Sequence, residues 1–267
     1  MKPAALFSLA LAGMLAAPPL ASQPLRPQYP WPHAAADESI AQRFAPPAGF
    51  TRISAAPDSF AAWLRGLPLK PGQPAARLFN GKENGLGDAH VAVVDLDVGR
   101  RDLQQCADTV IRLRAEYLRH SGRDAQLCFR YTNGEKSRPA AMQIASYPEF
   151  RRWLDRVFTF AGTLSLRRES MPVTPAEIAL GDFFIRGGSP GHAAMVLDVA
   201  RNPQGETVFL LGNGFLPAQE MTVLRNPGDN GLSPWFQLRI SGTLQIPYYQ
   251  FSFSDLRRFP EAACTRW

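Results

Sequence analysis

The segment GDFFIRGGSPGHAAMVLDVA, residues 181–200, constrains this chain most. Two short apolar runs flank a turn of glycines, serine and proline, so the backbone reads as two strands folded back on each other. The second run opens on His192. Glycine and proline just before it let the backbone pass close to its neighbours and leave the ring at an accessible sheet end. Upstream, DLQQCADTVIRLRAEYL sets Cys106 near the start of a helix. Asp102 and Gln105 have the spacing of a capping box, so this helix is expected from Asp102 to about His120, with Gly122 ending it.

Cys106 has two readings. Cys106, Val110, Leu113 and Tyr117 fall on one apolar helical stripe, where a cysteine serves as a small core residue. In the first turns of a helix, however, a thiol also meets unpaired N–H groups and the positive end of the dipole, which lower its pKa and stabilise an oxyanion. The readings are compatible, because the face that packs on a sheet also carries the sulfur to it.

A catalytic imidazole needs a partner on its second nitrogen. Asp198 shares the strand face of His192 but lies six residues on, about 20 Å away at about 3.3 Å per residue. Asn213 in LLGNGF is the alternative. A four-residue loop over 201–204 pairs 192 with 213; a five-residue loop pairs 192 with 214 and turns Asn213 to the other face. Gln104 or Gln105 is a candidate oxyanion donor, and the capping box accounts equally well for Gln105.

Residues 1–22 carry one basic residue, Lys2, then an apolar run over 4–17, then small residues and prolines. This is the layout of a secretory signal peptide, and the run is too short to span a bilayer. The expected product is a periplasmic or extracellular chain with no integral membrane segment. Residues 23–47, rich in Pro and Ala, read as an extended lead-in, and 48–267 as a single α+β domain. Within it, helices are expected over 58–67 with Asp58 as N-cap and over 148–166, and strands over 91–98 and 127–131. An antiparallel meander over 183–213 then follows.

The net charge of +6 suits an anionic envelope surface, and no basic block is interleaved with aromatics, which argues against nucleic acid. Three cysteines are an odd number, so in an oxidising compartment at least one has no partner within the chain. The expected pair is Cys128 with Cys264, leaving Cys106 free; three reduced, buried cysteines are the alternative. There is no CxxC or HExxH, and the glycines of GKENGLGDAH lack the strand and helix a phosphate loop requires. Neither a metal nor an organic cofactor is expected.

The pattern of GD, three hydrophobic residues, a short turn, GH and two small residues, with a cysteine helix upstream, resembles the NlpC-type and CHAP-type cell-wall amidases. That resemblance implies a papain-like fold with helices packed on an antiparallel meander. It further implies nucleophile Cys106, base His192 and orienting Asn213, with Gln105 beside the oxyanion and a cell-envelope amide such as a peptidoglycan peptide as substrate. The neighbours of the cysteine here, Gln105 and Ala107, depart from the aromatic or aspartate and the serine usual in the amidases. A non-catalytic protein binding envelope peptide or glycan on the same fold is the alternative. Together, LQQCADTVIRLRAEYL, FAGTLSL, residues 181–200 and LPAQEM more closely resemble a bacterial secreted family known only as a domain of unknown function. That resemblance spans most of the chain and implies no activity.

Overall fold

The computed structural model describes residues 1, 29–31, 38–139, 144–261 and 263–264. Apart from Met1, the leader expected over 1–22 lies outside the described residues. The helices are α1 (Ile40–Arg43), α2 (Phe60–Arg65), α3 (Cys106–His120), α4 (Tyr147–Phe160) and α5 (Thr163–Glu169). The strands are β1 (Thr51–Arg52), β2 (His90–Val93), β3 (Phe129–Arg130), β4 (Lys136–Ser137), β5 (Met171–Pro172), β6 (Phe183–Arg186) and β7 (His192–Arg201). They continue with β8 (Thr207–Asn213), β9 (Thr222–Leu224), β10 (Phe236–Gln237), β11 (Thr243–Ile246), β12 (Tyr249–Ser252) and β13 (Leu256–Arg258).

The architecture is mixed α+β. One nine-stranded sheet runs in the order β2-β9-β8-β7-β6-β13-β5, with β1 also on β7 and β10 also on β8. Its strands pair antiparallel throughout. The pairs β3–β4 and β11–β12 form two small separate sheets. Among the described residues no helix is long and apolar enough to cross a membrane.

Strand β7 shows why residues 192–200 lack a visible alternation. Ala193, Met195 and Leu197 face a large core shared with α2, α3 and α4, whereas Ala194 and Val196 face a second core shared with Ile246, Phe251 and Phe253. A strand covered on both faces reads as a continuous apolar run. Helix α3 is likewise buried almost all round, because its polar flank is covered too. There Arg112 is fully buried and donates to Gln104 Oε1 at 2.7 Å and to Asp97 Oδ1 at 2.6 Å.

Several boundaries move for local reasons. Helix α2 is capped by Ser59, whose Oγ accepts from the Ala62 amide at 3.1 Å, and Asp58 precedes it with φ of +60°. Helix α3 begins at Cys106, four residues later than the sequence pattern places it. Asp102 is instead held in the preceding turn, where its Oδ1 accepts from the Ala218 amide at 2.6 Å and from Gln105 Nε2 at 3.0 Å. The capping carboxylate is Asp108, whose Oδ2 accepts from the Gln105 amide at 3.1 Å. The single helix expected over 148–166 is two, interrupted at extended Ala161 and Gly162.

The lead-in stretch also contributes to the core. Tyr29 donates its hydroxyl to the Trp63 carbonyl at 2.9 Å, and Trp31 Nε1 donates to the Asp95 carbonyl at 2.7 Å. The disulfide joins Cys128 and Cys264, 136 residues apart, and Cys106 is the free cysteine.

Candidate active site

Cys106 is the first helical residue of α3, so the thiol stands at the end of the helix. The first i to i−4 bond runs from the Thr109 amide to the Gln105 carbonyl at 3.0 Å, which leaves the amides of Cys106, Ala107 and Asp108 without intrahelical partners. A glycine permits the docking of this turn on the sheet. A Cβ on Gly214 would lie 2.3 Å from Thr109 Oγ1 and 3.0 Å from the Gln105 carbonyl oxygen, so only a bare backbone lets the helix end approach β8 this closely. On β7 the sulfur meets the Ala193 amide, one residue from His192.

His192 and Asn213 are joined directly: Asn213 Nδ2 lies 2.9 Å from His192 Nε2. Neither loop length considered from the sequence produces this contact. The β7–β8 loop is five residues, with Arg201 opposite Thr207, a register that would turn Asn213 to the face away from His192. A bulge at Leu197 adds one residue to β7, so Met195 stands opposite Gly212 and the side of Asn213 is restored. The amide then reaches His192 diagonally across the pair.

The ring is walled by aromatic groups: Tyr249 at 4.8 Å, Phe215 at 5.4 Å and Phe251, stacked, at 5.8 Å between centroids. Thus the imidazole belongs to the second core, while α3 covers the opposite face of the sheet. Among the described residues no hydrogen bond joins the Cys106 sulfur to the ring.

Burial dominates the electrostatics. The Cys106 thiol is pushed up to about 11, because loss of solvent outweighs the amides of Ala193, Ala107 and Cys106 that favour the thiolate, and nearby Asp108 adds to the rise. This reverses the lowered pKa expected from the helix end. Burial also pushes the imidazole of His192 down to about 4 and the carboxyl of Asp108 up to about 8. At neutral pH the thiol and the imidazole are uncharged.

The remaining candidates separate. Gln105 Nε2 is engaged by Asp102, and Gln104 is buried against Arg112, so both amides are committed to holding the turn before α3. Asp198 is taken up by Arg52 and Arg65 at 2.6 and 2.7 Å. Thr222 is a residue that motif reading missed: its Oγ1 lies 3.3 Å from Asn213 Oδ1, on a strand no local pattern links to the site. Among the described residues no three His, Cys, Asp or Glu side chains converge as metal ligands.

Residues 40–141 and 135–258 match the model of a family described as domain of unknown function 4846. The chain belongs to this family. The match takes in Cys106 in its first segment and His192 and Asn213 in its second. No curated protein and no solved structure matches the chain.

Proposed function

We propose that the protein is an exported cysteine hydrolase of papain-like architecture, acting on an amide of the cell envelope such as a peptidoglycan peptide. The observation that carries this reading is the 2.9 Å contact between Asn213 and His192 at the strand end where Cys106 opens α3. The disulfide between Cys128 and Cys264 supports an oxidising compartment.

The chemistry imposes one condition on Asn213. With Nδ2 donating to Nε2, the neutral imidazole carries its proton on Nδ1 and is no base towards a thiol. The two ends of a carboxamide are equal in size, and turning this one over presents Oδ1 to an Nε2–H. Thr222 accepts Nδ2 in that orientation and still donates to the Asn213 carbonyl, 3.5 Å away. Nδ1 then takes the thiol proton as Sγ bonds to the substrate carbonyl carbon, and the free amides at the start of α3 receive the developing oxyanion. Collapse breaks the C–N bond, the imidazolium returns its proton to the leaving amine, and water releases the acyl group by the same route.

The raised thiol and lowered imidazole favour a second reading, an envelope-binding protein that turns nothing over. Iodoacetamide labelling across pH separates the two. In a hydrolase, Cys106 labels at pH 7 faster than a thiol of pKa about 11 permits, and His192→Ala abolishes the excess. In a binding protein, labelling rises only towards pH 11 and is unchanged by that substitution. Incubation with purified cell-wall fragments supplies the decisive measurement. The hydrolase releases new amines detectable by mass spectrometry and its Cys106→Ala variant does not; absence of product from both proteins overturns the hydrolase reading.

A further inference from the structure

Helix α3 carries near its middle an arginine that the hydrolase reading leaves without a role. Arg114 stands eight residues beyond Cys106, about 12 Å along the axis at about 1.5 Å per residue. Its guanidinium is held against three aromatic rings, Phe60 at 5.5 Å, Phe259 at 5.7 Å and Tyr117 at 5.9 Å from the ring centroids. Contacts of this kind fix the planar group but use none of its N–H donors. Among the described residues no hydrogen bond or ion pair takes those donors up, and no nitrogen of Arg114 is sealed from solvent.

A second guanidinium adds to the charge. Arg123 lies 4.6 Å from the centroid of Tyr117, so both arginines contact the same ring. Its Nε donates to Ser121 Oγ at 2.8 Å, a neutral partner, and its Nη groups have no acceptor among the described residues. The neighbouring carboxylates are engaged elsewhere or bond to neither arginine: Asp124 accepts from Arg119 at 2.9 Å, Glu169 faces Arg130 at 3.8 Å, and Glu261 borders the crevice beside Arg114 without bonding to it. Burial, and then the charge of Arg123, push the Arg114 guanidinium down from its ordinary value. The carbonyl end of α3 favours a cation at Arg123, but that field fades within the last turn and does not reach Arg114. Two cations held together without a counter-charge repel, and an anion shared between them removes that cost. The crevice has room for about 20 Å³, no more than a water, so a ligand meets the guanidinium groups from outside.

We propose that Arg114 and Arg123 form a surface binding site for a phosphate group carrying two negative charges. Guanidinium forks match phosphate oxygens in pairs, and two positive charges match a dianion better than a single carboxylate. The phosphate is free or ends a larger molecule such as a lipid headgroup, and the contact chemistry is the same in both. The inference stands apart from the hydrolase reading, since neither Cys106 nor His192 takes part in it.

Thermal unfolding of the full chain in inorganic phosphate, against chloride at the same ionic strength, tests it. The unfolding midpoint rises with phosphate and saturates. Arg114→Gln and Arg123→Gln each weaken the apparent affinity at least tenfold, and Arg114→Lys, which keeps the charge but loses the fork, weakens it severalfold. Co-sedimentation with phosphatidylcholine vesicles, with and without phosphatidic acid, is the second arm; binding that needs phosphatidic acid and both arginines, without a response to inorganic phosphate, assigns the group to a lipid. In chloride alone Arg123→Gln unfolds no lower than the parent, because the substitution removes a like charge. A marked fall there would make Arg123 a structural residue and overturn the site. Equal responses of the parent and both Gln variants, or no response in either arm, also overturn it. Iodoacetamide labelling of Cys106 is unchanged in Arg123→Gln, so the fate of this site and that of the hydrolase reading are measured separately.

Discussion

Strand β7 buries a titratable group near each end, and the two are treated in opposite ways. Asp198 is fully buried and fully matched, accepting from Arg52 and Arg65 and from the Val199 amide at 2.8 Å. His192 is almost as buried, yet it meets one carboxamide and three aromatic rings, and no charge faces it. The carboxylate is matched by donors on every side; the imidazole is pushed down by burial among neighbours that carry no charge. One end of the strand thus clamps α2 and β1 onto the sheet. The other holds a neutral imidazole among aromatic rings.

The comparison breaks first at the clamp. Asp198→Ala leaves two partly buried guanidinium groups facing each other without a carboxylate, and a loss of about 3–5 kcal/mol is expected in urea unfolding. A loss near zero would mean that Arg52 and Arg65 reach solvent and that the end of β7 needs no charge. At the His192 end the expected signature is pH dependence. The unfolded chain takes up a proton at about pH 6.5 that the native ring refuses until about pH 4, so stability conferred by this residue falls as pH drops through that window. The loss amounts to at most about 3 kcal/mol. Comparing the pH profiles of the parent and His192→Asn isolates it, and superimposable profiles would show that the ring is protonated where it sits.

A smaller effect is expected where α3 docks. Gly214→Ala drives a methyl into Thr109 Oγ1 and the Gln105 carbonyl, and about 1–3 kcal/mol of overpacking cost follows. Because the helix end moves with it, iodoacetamide labelling of Cys106 in the folded variant should change as well. A destabilised variant with unaltered labelling would separate the docking of the turn from the environment of the thiol.

Much of this molecule was written in local chemistry. The Gly-Pro turn before His192, the strands β6, β7 and β8, the helix that carries Cys106 and the stripe of Cys106, Val110, Leu113 and Tyr117 all follow from periodicity and turn residues, which act over a few positions. The odd cysteine count required one thiol without a partner in the chain; the expected pair, Cys128 with Cys264, is the one that forms, although spacing alone left three reduced cysteines open.

Other features were settled by distant groups. Asp102 has the spacing of a cap but is captured by the Ala218 amide, 116 residues away, which starts α3 at Cys106 instead. The side of β8 on which Asn213 stands depends on a bulge at Leu197, a choice of packing between two cores that no turn rule contains. The sign of the thiol's pKa shift was decided in the same way. The sequence by itself set a helix end beside Cys106, a local field that lowers the pKa. The tertiary structure then removed the solvent, and desolvation, which depends on everything packed around the sulfur, is the larger of the two.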